Sequence, residues 1–217
     1  VPLARTTRNA QQILALAGRA DIAVHAGCAR PILRPLETAE YVHGETGLNG
    51  AVLPEPSAPV AGGHAVDVII ETLLREPPDT VTLCAVGPLT NVASAFALAP
   101  ELPGLLAGLV IMGGSIGWGN VTPAAEFNFW VDPEAAEAVL SSGIREITIL
   151  PLDATHDAPI SLADCDRLDQ IGTPGATGTS ALIRHRIGHY PDAPDAAKLT
   201  APVHDALCVA YLLHPEV

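Results

Sequence analysis

The stretch VTLCAVGPLTNVASAFALAPELPGLLAGLVIM, residues 81–112, decides the fold class because two apolar runs enclose a helical pattern. The runs at 81–86 and 109–112 are short and end at turn residues, which is typical of buried strands. Between them, Thr90 stands where a helix cap is expected, and the pattern predicts a helix to about Leu98. Two buried strands joined by a helix form a βαβ unit, which favours a parallel sheet covered by helices.

The same alternation continues on both sides of this stretch. The triplet Asp132-Pro133-Glu134 predicts a helix start, because a capping carboxylate, a proline in the first turn and an acid near the positive end of the helix dipole each favour it. The other predicted elements are a helix from Thr6 or Thr7 to Leu16, strands at 21–26 and 146–152, and helices at 64–75, about 180–189 and 203–213. The sequence therefore predicts an α/β fold with an open, mostly parallel sheet flanked by helices, forming one domain over residues 1–217.

Two stretches lack any long periodic pattern. Residues 29–63 are rich in proline and glycine and predict a long loop, and residues 172–180 (GTPGATGTS) predict a flexible connection. Long loops in compact domains are usually functional or disordered. The first loop is therefore a candidate for a role in ligand binding.

Composition excludes several classes of protein. Apolar residues make up 48% of the 217 residues, which excludes a disordered chain. Lys and Arg number 11 against 24 Asp and Glu, a net charge of −13 that repels phosphate backbones and anionic lipids. No apolar run approaches the roughly 18 residues of a membrane span. We therefore expect no nucleic-acid or membrane partner, and a substrate that is neutral or cationic or a site that recruits a metal.

The four cysteines show neither zinc-site nor disulfide-scaffold spacing. They are far apart in the chain, at Cys28, Cys84, Cys165 and Cys208. Widely spaced cysteines in apolar surroundings behave as small hydrophobic residues. This usage fits a reducing compartment, and the predicted location is the cytoplasm.

Polar residues gather where the predicted strands end. GPLTN (87–91) follows the first strand of the βαβ unit, and GG (113–114), GN (119–120) and EFN (126–128) follow the second. Any one of these could be a turn and a helix cap. Together they favour a ligand site, because the carboxyl ends of parallel strands share one edge of the sheet, where α/β proteins bind ligands.

The glycines of this region suggest two other activities, and neither has the context it needs. Gly113-Gly-Ser115-Ile-Gly117 matches G-x-S-x-G, the nucleophile elbow of serine hydrolases, but Gly119 and Pro123 oppose the helix that must follow the serine. The same glycines do not form G-x-G-x-x-G, so dinucleotide binding is not indicated. A serine hydrolase using Ser115 is the less favoured alternative.

The pair His204-Asp205 and the residue His43 each have two interpretations. Asp205 could cap the predicted helix at 203–213 or bind a hard cation, and His204 beside it could transfer a proton. His43 could be a solvated loop residue or a contact from a mobile lid. The residues alone leave these alternatives open.

Several stretches together resemble one enzyme family, the inosine-uridine-preferring nucleoside hydrolases. They occur in the family's order along nearly the whole chain: TTRNAQQILALAG (6–18), HGETGLNG (43–50), VGPLTN (86–91), VIMGG (110–114), GNVTPAAEFNFWVDPEAA (119–136) and VHDALCVAYLLHPE (203–216). The resemblance implies hydrolysis of the N-glycosidic bond of purine or pyrimidine ribonucleosides to ribose and free base, as in nucleoside salvage. It also implies an open parallel sheet, a bound Ca²⁺ and a homo-oligomer, either a dimer or a tetramer.

The resemblance also implies roles for individual residues. Met112, Asn120, Glu126 and Asn128 would bind the ribose, which suits a neutral polyol because carboxylate and amide groups supply directed hydrogen bonds. The Val86 carbonyl and the Asp205 carboxylate would be Ca²⁺ ligands. His204 would protonate the departing base. His43 would close over the base, and Tyr190 would belong to a second mobile segment there.

The chain departs from the family pattern at its start. Members begin with a strand carrying aspartates of the form D-x-D-x-G-x-D-D, which supply most Ca²⁺ ligands and the base that activates water, whereas this chain begins after that strand and ends short of the family's last elements. Asp153, in LDATH, matches a structural stretch of the family rather than the missing base. We therefore expect weak or absent turnover. The alternative is a noncatalytic binder of ribose or nucleosides.

Overall fold

The computed structural model describes residues 1–188 and 199–216. In chain order, its helices and strands are α1 (Leu3–Leu16), α2 (Glu40–His43), α3 (Ala65–Arg75), β1 (Thr82–Ala85), α4 (Thr90–Leu98), a 3-10 turn (Leu102–Gly104), β2 (Gly108–Met112), α5 (Phe127–Val131), α6 (Pro133–Leu140), β3 (Ile147–Leu150), α7 (Leu152–His156), β4 (Pro159–Ser161), α8 (Leu162–Ile171), α9 (Pro174–Gly188), β5 (Thr200–Pro202) and α10 (His204–Leu213).

These elements form two compact units, each assembled from separate parts of the chain. The sheet unit comprises residues 27–37, 63–158 and 203–217, and the helical unit comprises residues 1–26, 38–62 and 159–202. The sheet unit holds β1, β2 and β3 with α3 to α7 and α10. The helical unit holds α1, α2, α8, α9 and the strands β4 and β5.

The sheet unit contains the parallel sheet that the sequence predicts. Its strand order is β1-β2-β3, and both neighbouring pairs are parallel. Ala85 lies opposite Ile111, and Met112 lies opposite Leu150, so the three strands end at the same level. Their carboxyl ends therefore form one edge, followed by the polar stretches described above.

Alternation along β2 supplies apolar contacts to both faces of the sheet. Leu109 and Ile111 are buried with apolar residues of α3, α4 and α6. Val110 and Met112 are buried on the other face, where Cys208 of α10 packs against them. Helices therefore cover both faces, which confirms the predicted α/β class with a parallel sheet flanked by helices.

A buried aspartate connects three parts of the sheet unit. Asp132 is fully buried, and its Oδ1 accepts the backbone N–H of Ala135 at 3.1 Å, which caps α6 as predicted. Its Oδ2 accepts the Thr90 hydroxyl at 2.6 Å and the backbone N–H of Ile32 at 3.0 Å. Thr90 is thus the first residue of α4 rather than its cap, because its hydroxyl is used by Asp132.

The helical unit is held together by packed helices and a short antiparallel ribbon. α9 packs against α8, α1 and β5, and β4 pairs with β5. Ser161 and Asp164 form a capping box at the start of α8. The Arg184 guanidinium of α9 bonds Asp166 at 2.6 Å and Asp169 at 3.0 Å, which joins α9 to α8.

Two segments of the helical unit differ from their predicted structure. Residues 172–180 are not a flexible connection, because α9 begins at Pro174, where Thr173 accepts the backbone N–H of Ala176 at 3.3 Å and caps the helix. The stretch 21–26 is not a strand: residue 21 lies in a turn, residue 22 in a bend, and residues 23–26 have no regular secondary structure. Its backbone hydrogen bonds include Ala61 N–H to the Val24 carbonyl at 2.9 Å, without a ladder.

The loop predicted at 29–63 is largely confirmed, with one turn of helix, α2, inside it. Helix α8 was not predicted, because its polar residues give only a weak apolar pattern. Within residues 1–188 and 199–216, no helix is both long enough and apolar enough to cross a membrane.

Candidate functional site

The candidate site lies at the carboxyl edge of the parallel sheet. Met112 is the last residue of β2 and is buried at 3% exposure, whereas Val86 directly follows β1 and is 40% exposed. The loop 113–126 connects the end of β2 to α5, and its sequence is part of the family resemblance described above. The strands thus place the backbone of Val86 and the side chain of Met112 at this edge.

Glu126 is the central carboxylate of this edge and is 3% exposed. Its Oε2 accepts backbone N–H bonds from Gly114 at 2.9 Å and Phe129 at 3.2 Å, and its Oε1 accepts that of Asn128 at 2.9 Å. The side chain therefore caps α5 and ties it to the end of β2. Of roughly four acceptor positions on a carboxylate, three are used, so Oε1 retains capacity for one more donor.

Burial raises the pKa of the Glu126 carboxyl above its ordinary value. The three backbone N–H bonds act in the opposite direction because they stabilise the charged form. The site thus contains a desolvated carboxyl held by backbone donors. This arrangement suits the recognition of a hydroxyl group.

Two amides flank this carboxyl, and within the described residues each forms hydrogen bonds through only one of its two polar atoms. The Asn128 Nδ2 donates to the Met112 carbonyl at 3.0 Å, and the Asn120 Oδ1 accepts the backbone N–H of Phe127 at 2.9 Å. Asn128 Oδ1 and Asn120 Nδ2 have no such partner there. The structure thus brings Met112, Glu126 and Asn128 into direct contact and holds Asn120 on the same loop.

Asp205 is the second residue of α10, which packs against β2. Val203 stands at the cap position, and no side-chain hydrogen bond caps the helix, so the interpretation of Asp205 as a helix cap is wrong. Although its side chain is accessible to solvent, surrounding protein atoms and the charge of Glu126 raise its pKa to about 6. Desolvation is the larger cause. Two carboxylates thus repel each other at this edge, which favours a cation between them.

His204 is oriented by a buried hydroxyl. Its Nδ1 lies 2.7 Å from the Oγ1 of Thr155, and Thr155 is fully buried in α7. The imidazole of His156 lies nearby, with 5.6 Å between the ring centroids. Neither Thr155 nor His156 was predicted as a site residue, because the contact joins α7 to α10 and leaves no pattern in either segment.

The loop 113–126 is anchored by an aspartate of α7. Asp153 accepts the backbone N–H groups of Ile116 at 2.7 Å and Gly117 at 3.0 Å, and these bonds lower its pKa. The structural interpretation of Asp153 agrees with this geometry. The hydroxyl of Ser115 donates to the Ala124 carbonyl at 3.1 Å, and no helix begins at Ser115, so the elbow that a serine hydrolase needs is not formed.

The described residues do not form a complete Ca²⁺ site. Val86 and Asp205 offer one carbonyl and one carboxylate, whereas Ca²⁺ takes about 6–8 oxygen ligands. In the part of the chain that the structure describes, no three His, Cys, Asp or Glu side chains are grouped so that they could hold a metal ion. Asp205 is therefore a candidate for one ligand of a larger oxygen shell.

His43 ends α2 in the helical unit. Burial, followed by the charge of Arg186, lowers the pKa of its imidazole. Its side chain is nonetheless exposed to solvent, so the interpretation as a solvated histidine agrees with its place at the end of α2. Tyr190, the other residue assigned to a mobile segment, lies outside the described residues.

Comparisons with known proteins agree on one family. Residues 1–217 match the family model described as inosine-uridine preferring nucleoside hydrolase. A pyrimidine-specific ribonucleoside hydrolase of Salmonella agona is 45% identical over 213 residues, covering 98% of this chain and 68% of that protein. The solved purine-preferring ribonucleoside hydrolase from Gardnerella vaginalis has a TM-score of 0.91 at 27% identity, covering 99% of this chain and 69% of that one. For a plant nucleoside hydrolase the TM-score is 0.89 at 28% identity, over 99% and 67%.

Proposed function

The chain belongs to the inosine-uridine preferring nucleoside hydrolase family, and from this premise we propose that the carboxyl edge of its sheet binds the ribose of a ribonucleoside, whose N-glycosidic bond is then hydrolysed. One observation carries the proposal. At the edge where α/β proteins bind ligands, Asn128 hydrogen-bonds both the Glu126 carboxylate and the Met112 carbonyl.

The ribose contacts follow from the unused capacity of this group. Oε1 of Glu126 and Oδ1 of Asn128 can each accept a sugar hydroxyl, and Nδ2 of Asn120 can donate to a sugar oxygen. Met112 contributes an apolar wall. The transition state of glycoside cleavage carries positive charge on the sugar, so a buried carboxylate at this place stabilises it more than it stabilises the substrate.

His204 is proposed to protonate the departing base, and pyrimidine nucleosides are the proposed preferred substrates. The second statement is supported by relatives of 45% and 46% identity whose names specify pyrimidine ribonucleosides. The assignment of His43 to the base stays a prediction from the resemblance.

Nucleoside hydrolases are generally metal-dependent, and we propose Ca²⁺ as the metal, with Asp205 and the Val86 carbonyl as two of its ligands. A bound cation would offset the repulsion between Asp205 and Glu126. Because the described residues supply so few ligands and no further carboxylate for activating water, we propose that this chain alone turns over weakly or not at all. Binding of ribose without hydrolysis is the second candidate function.

The test is ribose release from uridine, cytidine and inosine by this chain, with Ca²⁺ and with a chelator, alongside calorimetry with ribose. Ribose binding that Asn128→Ala abolishes, and that the matched control Asn9→Ala in the helical unit leaves intact, supports the assigned site. Chelator-sensitive release of ribose adds a working metal site. Absence of both binding and release contradicts the proposed function, and release at the rates of active relatives contradicts the proposed weak turnover.

Cytoplasmic location and homo-oligomerisation are part of the same proposal. All four cysteines are free thiols, which supports a reducing compartment. Light scattering of the purified chain measures its mass directly, and a monomer at working concentrations would contradict the proposed dimer or tetramer.

A further inference from the structure

The ring of Phe129 in α5 lies directly against the backbone of Gly113 and Gly114, the glycine pair that follows β2. A Cβ added at Gly113 would lie 2.5 Å from Cε1 of this ring, and a Cβ added at Gly114 would lie 3.3 Å from its Cε2. Real Cβ atoms essentially never show the first of these distances. Only a residue without a side chain therefore leaves room for the ring at position 113.

The glycine pair and α5 are also joined through one oxygen of Glu126. Its Oε2 accepts the backbone N–H of Gly114 at 2.9 Å and that of Phe129 at 3.2 Å. The aromatic ring and the carboxylate thus connect the same two segments through different contacts. Because Oε1 of Glu126 is the proposed acceptor of a ribose hydroxyl, its position depends on how closely these two segments approach each other.

Both sides of this contact are held by other parts of the sheet unit. Gly114 has a φ of +75°, a left-handed conformation that glycine adopts at no steric cost. Its N–H donates to Glu126 there, and its carbonyl accepts the backbone N–H of Leu152 at 3.0 Å. The ring of Phe129 is partly buried and packs against the apolar core of the same unit. The separation between α5 and the end of β2 is therefore fixed before any ligand binds.

We propose that Phe129 is a positioning residue for ribose binding: its ring, seated on the glycine pair, places the Glu126 carboxylate where a ribose hydroxyl meets Oε1. The inference rests on the proposed function, because that function supplies the sugar. Phe129 acts through Glu126 and needs no contact with the sugar itself. A larger separation of α5 from the glycine pair would move Oε1 away from the hydroxyl that it accepts.

Discrimination between ribosides measures this position separately from stability. Calorimetry gives the affinities for uridine and for its 2′-, 3′- and 5′-deoxy analogues, under conditions at which no ribose release is detected. We expect the wild type to bind one analogue about tenfold or more weakly than uridine, because a hydroxyl that meets a charged acceptor is lost. Glu126→Gln identifies this analogue as the one whose affinity relative to uridine changes most. Partial unfolding lowers all affinities equally and leaves the ratio unchanged.

Two substitutions disturb the contact from opposite sides. Gly113→Ala adds a methyl group where the ring lies, and Phe129→Val removes the ring atoms while keeping Cβ and a γ carbon. We expect each to lower the affinity ratio to about threefold or less. The double variant should discriminate better than Gly113→Ala, because the ring atoms that meet the new methyl group are absent. Gly104→Ala is the matched control, since a Cβ there meets no atom within 4 Å, and it should keep the wild-type ratio.

A wild-type ratio in Phe129→Val, or in a folded Gly113→Ala, would overturn the positioning role and leave the proposed function intact. A double variant that discriminates no better than Gly113→Ala would also overturn it, because the clash with the ring would then not be the cause. If Gly113→Ala does not fold, Phe129→Val decides alone. A wild type that binds uridine and its analogues equally, or binds none of them, contradicts the proposed ribose site and this inference with it.

Discussion

Glu126 illustrates how one side chain at the site combines folding and binding. Its two oxygens accept three backbone N–H groups that cap α5 and attach it to the end of β2. The same carboxylate is the proposed acceptor for a ribose hydroxyl through Oε1. A substitution at this position therefore changes stability as well as activity, and the two effects must be measured separately.

We expect Glu126→Gln to destabilise the chain by about 1–3 kcal/mol, because an amide NH₂ replaces an acceptor and leaves a buried backbone N–H unpaired. The measurement is urea unfolding followed by circular dichroism. The control is Glu134→Gln, which removes a solvent-screened ion pair with Arg34 and one charge at the start of α6 and should destabilise the chain less than Glu126→Gln does. Equal stability of Glu126→Gln and the wild type would contradict the capping role.

The contribution of Asp205 to folding stability should fall as the pH rises, whereas that of a well-paired carboxylate rises with pH. Its pKa of about 6 in the folded chain exceeds the ordinary value of 3.8, so the folded state holds the proton more tightly than the unfolded state does. Its stabilising contribution is present below pH 4 and is lost as the pH rises through 6. In the presence of a chelator, we therefore expect Asp205→Asn to be more stable than the wild type at pH 8 and equal to it at pH 4. Because solvent screens this side chain, the gain should be about 1 kcal/mol or less.

Asp153→Asn is the contrasting variant for that experiment. Hydrogen bonds from the backbone N–H groups of Ile116 and Gly117 lower the pKa of Asp153, so its stabilisation is present at neutral pH and is lost below 3.8. Its replacement should lower the stability at pH 8 rather than raise it. If both variants shift stability in the same direction with pH, the electrostatic description of the edge is wrong.

The candidate site could be predicted from sequence where its residues lie close together in the chain. Asn120, Glu126 and Asn128 fall within nine residues, and the short stretch carries the family resemblance. Thr155 and His204 are 49 residues apart, and their contact exists only because α7 packs against α10. A single sequence contains no signal for such a pair. The capping bonds of Glu126 were also not predicted, because they come from backbone N–H groups, which every residue other than proline has.

Among the elements, the loop between β2 and α5 depends on a close backbone approach at Gly119. A Cβ at this position would overlap the backbone of Ala125 and the carbonyl of Thr122. Side-chain flexibility cannot relieve a clash with backbone atoms, so the loop would have to move. Asn120, the next residue, would move with it.

We therefore expect Gly119→Ala to weaken ribose binding by about five- to thirtyfold, since displaced polar groups commonly cost about 1–2 kcal/mol. Calorimetry measures the affinity, and circular dichroism checks that the fold is retained. Gly104→Ala is the control, because a Cβ there meets no atom within 4 Å. Unchanged affinity in Gly119→Ala would show that the loop does not position Asn120 for ribose.

Element prediction succeeded where a local signal and the tertiary packing agree. Asp132-Pro133-Glu134 starts α6 because the cap and the proline act within the same turn. The apolar runs at 81–86 and 109–112 contain β1 and most of β2. The prediction of a flexible connection at 172–180 was wrong, because the glycines there suggest a loop whereas α9 begins at Pro174. There, Gly178 instead lets α9 approach Leu16 of α1 closely. Tertiary packing thus overrode the local preference of glycine.

At the scale of the whole molecule, the net charge of −13 opposes the compact state. Raising NaCl from about 0.02 to about 0.2 M shortens the range of this repulsion, and we expect the melting temperature to rise. Ca²⁺ at matched ionic strength should raise it further in the wild type but not in Asp205→Asn. An equal Ca²⁺ effect in both proteins would indicate general screening instead of binding at Asp205.

Because Glu126 caps α5, its presence in a related protein is a poor indicator of hydrolase activity. A lineage that stopped hydrolysing nucleosides would still be selected to keep this glutamate, since α5 depends on it. Asp205 caps no helix, and its charge is disfavoured by desolvation and by the charge of Glu126, so we expect its replacement to be tolerated once hydrolysis is no longer selected. A glutamate at position 126 therefore indicates only that a related protein keeps this fold. An aspartate at position 205 indicates that it also keeps the hydrolase activity.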